Sequence, residues 1–452
     1  MTDVDVVVVG LGPGGESVAT QLAQAGLSVV AVDRRLVGGE CPYYGCIPSK
    51  MVIRAADVLA EGRRIPDFAG RSTVTSDWAP VHARIRDEAT TDWDDQIAVD
   101  RLKDAGAEVV HGEARLTGPR TVEVNGTTYT AAKGVVLNTG TDPAAPPIDG
   151  LADTPYWTNR DALRAEEAPG SLVVVGGGPI GAELAQAFSR FGVQVTVLEV
   201  AERILGPVEP EASKVVADAF AAEGIQVLTG VRIESVSYAE GQFTVDLGEQ
   251  TVQADKLLVA AGRRPNLPDL GLETVGLDPG ARSVEVDSRM RAVGVDGEGL
   301  WAIGDITGKG AFTHMSMYQA AIAVRDIHGQ EGPEAAYHAV PHETFTDPEV
   351  GGVGLTEQQA RDAGLTVRVG TTDLASSTRG WIAKASGLIK LVEDADRGVL
   401  VGATAVGPSG GEVLSMLVTA VHAEVPTDTL RSMIYAYPTF HRAVESALAD
   451  LS

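Results

Sequence analysis

The chain opens on a run of apolar positions with no alternation. Residues 4 to 9, VDVVVV, read as a β-branched strand with both faces buried, the pattern of a parallel sheet. Gly10, Gly12 and Gly15 follow, then ESVATQLAQAG at helical spacing, then LSVVAVD, a second strand closed by Asp33. The order recurs at SLVVV (171–175), with Gly176, Gly178 and Gly181, the helix AELAQAFSRFG, and the strand VQVTVLE ending at Glu199. In both copies the acid falls 23 positions after the first glycine (33 minus 10, and 199 minus 176). Each glycine has a physical task. The first permits a tight turn, the second lets a pyrophosphate approach the backbone, the third lets helix and strand pack, and the helix amino end attracts the phosphates. Two complete copies predict two bound dinucleotides.

Composition narrows the partners. With 36 basic against 62 acidic residues the net charge is −26, so a nucleic-acid backbone would be repelled. A hydrophobic content of 44% is ordinary for a globular chain and disfavours a disordered acidic protein. No stretch has the roughly 18 consecutive apolar residues of a membrane span, and MTDVDVVVVG has no basic leader, so a cytoplasmic location is expected. Both cysteines, Cys41 and Cys46, lie in GGECPYYGCIPSK (38–50). Two are too few for a secreted disulfide scaffold, and in a reducing compartment their closeness points to metal binding or redox work. A zinc site would need further cysteines or a histidine cluster, and neither is present, so no metal is expected. Glu199 would bond a ribose 2′-hydroxyl and repel a 2′-phosphate. NADH is therefore the expected donor, with NADPH possible because Arg203 is close in sequence.

Seven motifs in order carry a family resemblance: the first glycine fingerprint, GGECPYYGCIPSK, NTGTDP (138–143), the second fingerprint, AAGRRPN (260–266), LWAIGD (300–305) and FTDPEVGGVGLTE (345–357). The chain resembles the flavoprotein disulfide reductases, the group that contains dihydrolipoamide dehydrogenase and mercuric reductase, along nearly all its length. The resemblance implies an α/β fold of two Rossmann-like dinucleotide-binding domains, one for FAD and one for NAD, plus an α+β carboxyl-terminal dimerisation domain in a homodimer. The implied boundaries are 1–148 and 267–330 for FAD, 149–266 for NAD(P), and 336–452 for the interface. The proline-rich DPAAPPIDG (142–150) and the turn-rich GQEGPEA (329–335) are consistent with those divisions.

The resemblance also implies roles. Cys46 is the flavin-side thiol and Cys41 the interchange thiol facing substrate. Lys50 and Glu183 pair where hydride arrives, and Asp33 and Asp305 hold the adenosine end and the ribityl chain of FAD. Further cofactor contacts are implied at Gly10, Gly12, Gly14, Gly15, Gly39, Lys50, Gly112, Thr139, Gly140, Gly304 and Thr313, and at Gly176, Gly178, Gly181, Glu199 and Gly262. FTHMSMYQAAIA, after Asp305, reads as a helix whose amino end would face the flavin. The residues IPSKMVIRAADVLAEG after Cys46 also read as a helix, and a thiolate near its amino end, with Lys50 close, would have a lowered pKa.

The chain departs from the family at YPTFHR (437–442), where the disulfide-exchanging members read HPTxxE. Tyr437 stands for the histidine and Arg442 for the glutamate of a proton-shuttling dyad, with His441 one helical turn on. A histidine titrates near pH 6.5 and a phenol near about 10, so tyrosine donates a proton more readily than it accepts one. Mercuric reductases also carry tyrosine there, but their carboxyl-terminal cysteine pair is missing from the ending ALADLS. Tyr43 and Tyr44, between the cysteines, are unusual for the family. The expected function is an FAD-dependent NAD(P)H oxidoreductase with a redox-active disulfide, serving a small disulfide or dithiol with Tyr437 as proton donor. Two other readings stay open: a quinone or metal-ion reductase, and a non-catalytic flavin-binding subunit.

Overall fold

A computed structural model describes residues 1–451, which divide into two compact units. The first unit comprises Met1–Ser49, Ala83–Ala144 and Arg263–Tyr337. Its sheet centres on Thr2–Val9, paired in parallel with Val29–Asp33 on one side and Thr127–Leu137 on the other. Glu108–His111 extends it beyond Val29–Asp33, and Leu300–Ala302 adds in parallel to the end of Thr127–Leu137. The first half of Thr127–Leu137 instead folds back against Thr121–Val124, which pairs with Ala114–Gly118, an antiparallel meander.

The valine run behaves as its pattern requires. Val6 and Val8 pack on one side with Val18, Leu22, Ala320 and Ala323 from the helices Pro13–Gln24 and Thr313–Ile327. Val7 and Val9 pack on the other side with Val122, Val124 and Leu267. Each fully buried valine contributes about 1.5 kcal/mol or more of transfer free energy, which is why both faces of this strand are apolar.

The second unit comprises Lys50–His82, Ala145–Gly262 and the chain from His338 onward. Its parallel sheet runs Gln226–Thr229, Gln194–Glu199, Ser171–Val175, Lys256–Val259, with the helix Pro179–Arg190 following the second glycine turn. A three-stranded meander, Ser235–Ala239, Gln242–Asp246 and Thr251–Ala254, closes one face. From Pro341 the chain forms a five-stranded antiparallel sheet, ordered Pro341–Thr344, Glu349–Gly354, Val399–Gly407, Leu388–Asp394, Val367–Asp373. The helices Gly410–His422 and Ala443–Ala449 pack on it through Leu414, Leu417, Val444 and Leu448. Among the described residues no helix is long and apolar enough to cross a membrane.

Buried charge is shared in this unit. Arg190, 4% exposed, bonds Asp57 (2.6 Å), Asp347 (2.7 Å) and Glu223 (2.7 Å). Burial pushes the Asp57 carboxyl up to about 6 against the pull of Arg190.

Glu343, on Pro341–Thr344, has no such cation bonded to it. Both its carboxyl oxygens are sealed from solvent without a hydrogen-bond partner. A side chain on Gly351 would come within 2.5 Å of Oε2 and one on Gly411 within 3.1 Å of Cδ, so two glycines make the space it fills. Burial, followed by the negative charge of Glu349 and Glu183, pushes its pKa from 4.5 to about 9. Because the folded-state pKa is raised, the stability linked to this group is complete below the unfolded value near 4.5. It declines as pH climbs towards about 9. Glu343→Gln, which cannot ionise, should match wild type in thermal unfolding at pH 5 and exceed it by a margin that grows to pH 9. Melting curves that stay parallel across that range would contradict the buried neutral acid.

Candidate functional site

The two glycine turns are built alike. Pro13 and Pro179 open their helices, where a missing N–H costs nothing. A Cβ on Gly15 would lie 2.0 Å from the Gly10 carbonyl oxygen and one on Gly181 would lie 1.9 Å from that of Gly176, so helix and strand touch only through bare backbone. At Gly178 nothing lies within 4 Å of the Cβ position, leaving the second turn open at the point where a pyrophosphate would approach. A Cβ on Gly39 would lie 2.8 Å from the Gly12 Cα, so these two glycines pack backbone to backbone.

The acid at each strand end is held in the same way. Asp33 accepts from the N–H groups of Leu11 (2.7 Å) and Arg35 (2.8 Å), and Glu199 from those of Gly177 (2.6 Å) and Ala201 (2.8 Å). Burial pushes the Asp33 carboxyl up from its ordinary value, and the two N–H donors oppose that. Arg203 spends its guanidinium on the carbonyl oxygens of Leu205 (3.1 Å) and Gly206 (2.6 Å).

Two residues that support the first turn were not singled out from sequence. With its amide oriented to satisfy both ends, Asn138 accepts from Gly15 N (2.9 Å) and donates to Ile303 O (3.3 Å) and Ser316 Oγ (3.1 Å). Gln319 Oε1 takes the Gly304 N–H at 2.6 Å. Next along the NTGTDP motif, Thr139 Oγ1 is buried with no protein partner. Thr141 donates to Asp305 Oδ2 (2.7 Å) and in turn accepts from Arg263 Nε (2.7 Å). The open glycine turn and the unpaired Thr139 hydroxyl fit dinucleotide cofactors. At Gly112 a Cβ would come within 2.6 Å of the Asn125 side chain, so local packing also favours glycine there.

The cysteines are brought together. Both are thiols, Cys41 on the short helix Glu40–Tyr44 and Cys46 as the first residue of the helix Cys46–Phe68. Thr313, first residue of its own helix, places Oγ1 3.4 Å from Cys46 Sγ. The positive ends of two helices therefore meet the sulfur pair. The expected lowering of thiol pKa does not extend to Cys41. A hydrogen bond with Cys46, and then burial, push the Cys41 thiol far above its ordinary range, while a bond from Thr313 opposes them.

In the second unit Lys50 and Glu183 form an ion pair at 2.7 Å. Glu183, 6% exposed, uses its other oxygen to accept from Phe345 N (2.9 Å), and the Lys50 ammonium lies 4.4 Å from the Phe345 ring centre. Tyr437 is exposed and bonds Thr378 Oγ1 (3.3 Å), with the Arg442 guanidinium 5.4 Å over its ring. His441 packs 6.0 Å from the Tyr435 ring. Trp381, Ile382, Met433 and Ile434 add large exposed apolar side chains to this end of the unit.

The two turns should fail separately. Gly15→Ala should yield protein with little bound flavin, read from visible absorbance. Gly181→Ala should keep the flavin and raise the KM for reduced nicotinamide about tenfold or more, a loss of about 1.4 kcal/mol.

Comparison with known proteins gives a consistent answer over the whole chain. Residues 4–341 match the family described as pyridine nucleotide-disulphide oxidoreductase, and residues 340–448 match its dimerisation domain. The chain is 34% identical to a dihydrolipoyl dehydrogenase of Thermus scotoductus, an alignment covering 100% of this chain and 98% of the relative. It is 30% identical to a mercuric reductase of Staphylococcus aureus, covering 98% of this chain and 82% of the relative. Among solved structures it is similar to the Cu(II) complex of the HOCl-induced flavoprotein disulfide reductase RclA from Escherichia coli, with a TM-score of 0.87, 26% identity and 99% of both chains covered. With both dinucleotide turns, a sulfur pair and a dimerisation domain in place, the chain belongs to the pyridine nucleotide-disulphide oxidoreductase family and is an FAD-dependent oxidoreductase that uses NAD(P)H.

Proposed function

We propose that the protein oxidises NADH and passes two electrons through Cys41 and Cys46 to a low-molecular-weight disulfide of lipoyl type. The observation that carries this reading is the meeting of Cys41, Cys46 and Thr313 at two helix starts. Bound FAD supplies a two-electron carrier between nicotinamide and sulfur. The residues do the rest. Cys41 gives up its proton to the departing substrate sulfur as its own sulfur attacks the other, and the substrate disulfide breaks. Cys46 then closes the Cys41–Cys46 bond, and two substrate thiols leave with two protons. Over the whole cycle NADH supplies one hydrogen and the medium one proton, the latter relayed by Tyr437, acting in a homodimer on the thiols of the second copy. Lys50, fixed by Glu183, supplies positive charge for the hydride-transfer step. Glu199 favours NADH, since its carboxylate is fixed in place by two backbone N–H groups while Arg203 is committed to carbonyl oxygens. The enzyme acts in the cytoplasm, where thiols stay reduced.

A second reading is reduction of a metal ion or a quinone. It is favoured by one observation: Arg442 stacks on Tyr437 and pairs with Glu445 (3.0 Å), so Tyr437 has a cation beside it where the disulfide-exchanging members of the family pair histidine with glutamate. Relatives named mercuric reductase, and a similar structure solved with Cu(II), point the same way.

One experiment separates the two. NADH oxidation is followed with lipoamide, a quinone, Hg(II) and Cu(II) as acceptors, in wild type and in Cys41→Ser. Turnover of lipoamide that disappears in Cys41→Ser supports the first reading, whereas metal or quinone turnover without lipoamide turnover supports the second. Tyr437→His combined with Arg442→Glu should raise lipoamide turnover by about tenfold or more, given that positioned acid–base groups contribute roughly 10² to 10⁴. Glu199→Ala should lower the ratio of kcat/KM for NADH to that for NADPH.

A further inference from the structure

The segment before the strand Glu108–His111 contains an unusual backbone. Ile85–Ala89 forms a π-helical turn, and then Thr91, Asp92 and Trp93 all take positive φ, at 49°, 56° and 56°. Three successive residues with side chains in the left-handed region are disfavoured at each step, because Cβ crowds the following carbonyl. Backbone strain of this kind persists only where surrounding bonds over-determine it. Here Thr90, 1% exposed, donates to Ile85 O (3.0 Å) and accepts from Trp93 N (3.3 Å), and Asp92 N donates to Arg86 O (2.6 Å).

What the turn presents is a pair of grips. Trp93 Nε1 donates to the Tyr43 carbonyl at 3.2 Å, and Asp95 Oδ2 accepts from Val37 N at 2.7 Å while also meeting His111 Nε2 at 2.9 Å. Between Val37 and Tyr43 lie Gly38, Gly39, Glu40, Cys41 and Pro42. Gly38 and Gly39 have φ of 110° and 69°, so the stretch leading to Cys41 has little stiffness of its own. It is held at both ends from outside.

We propose that the left-handed turn Thr91–Trp93 is a clamp on the Cys41 segment, with Trp93 and Asp95 as positioning residues that set the oxidation–reduction balance of the Cys41–Cys46 pair. The inference rests on the reading that these two cysteines are the redox pair. Closing the pair forms one S–S bond and removes two electrons and two protons, which the oxidant, glutathione disulfide in the test, takes up as two thiols. Holding the Cys41 segment against Cys46 raises the local concentration of one sulfur at the other and so favours the disulfide. Releasing either grip lets the segment move and favours the dithiol.

The test equilibrates the flavin-loaded protein in glutathione buffers of defined ratio, traps thiols by alkylation and counts them by mass. Flavin absorbance and circular dichroism verify that each variant is folded and loaded. Trp93→Phe, which keeps a ring but loses the donor, should shift the disulfide-to-dithiol ratio about tenfold towards dithiol, equivalent to about 30 mV. Asp95→Ala should shift it in the same direction, and Trp93→His, which keeps an N–H, should restore it at position 93. Asp92→Gly removes strain while keeping both grips, so it should raise the melting temperature and leave the ratio unchanged. An unchanged ratio in both Trp93→Phe and Asp95→Ala overturns the clamp, as does a Trp93→His variant that behaves like Trp93→Phe. The measurement uses no NADH and no acceptor. A shifted ratio in a protein whose pair NADH fails to reduce would sink the proposed function and leave the clamp standing.

Discussion

The chemistry depends on a contact among three small groups: the thiols of Cys41 and Cys46 and the hydroxyl of Thr313. A sulfur pair exchanges electrons with a disulfide only when the attacking member reacts as a thiolate, and closing the pair releases both thiol protons. The arrangement separates the two by environment. Cys46 begins a long helix and faces the start of another, whereas Cys41 is more enclosed and its thiol is pushed upward by the bond to Cys46 and by burial. The first glycine turn, the tethered Asp33 and the Asn138 bridge belong to the same compact unit as this contact.

The frame was legible in the sequence because its signals are local. VDVVVV has to be a doubly buried strand, and the glycines with their 23-residue acid spacing have few other uses. The sulfur pair was legible for the opposite reason: two cysteines in one short segment leave little choice. What escaped depends on distant contacts. Asn138 sits in a motif, but only its bridge from Gly15 to Ile303 and Ser316 reveals its task, and those partners lie far along the chain. Thr313 was expected as a cofactor contact, and its position against Cys46 follows from folding across 267 residues. Trp93 carried no signal, since nothing in TTDWDD announces a left-handed turn at residues with side chains. The antiparallel meanders were likewise silent, their short strands lacking the long apolar runs that marked the parallel ones.

The acidic excess leaves a visible imprint on the interior. Where cations are few, each buried one serves several carboxylates. Arg190 holds Asp57, Glu223 and Asp347, and Lys390, 2% exposed, holds Glu209 (3.0 Å), Glu211 (2.9 Å) and Glu357 (2.9 Å). Bonds to those glutamates keep the Lys390 ammonium charged against the burial that opposes it. Removing such a hub strands several charges at once, and breaking even one buried pair typically costs about 3–5 kcal/mol.

Glu343 follows another course, remaining neutral in a hollow shaped by Gly351 and Gly411. That fit ties three positions, two opposite each other on paired strands and one on a later helix, into one heritable set. A methyl group gained at 351 collides unless 343 has already shortened, and a shortened 343 opens a void unless a neighbour grows. Drift at these sites is consequently order-dependent, and a replacement harmless in a cousin with a slimmer residue at 343 is damaging in this background.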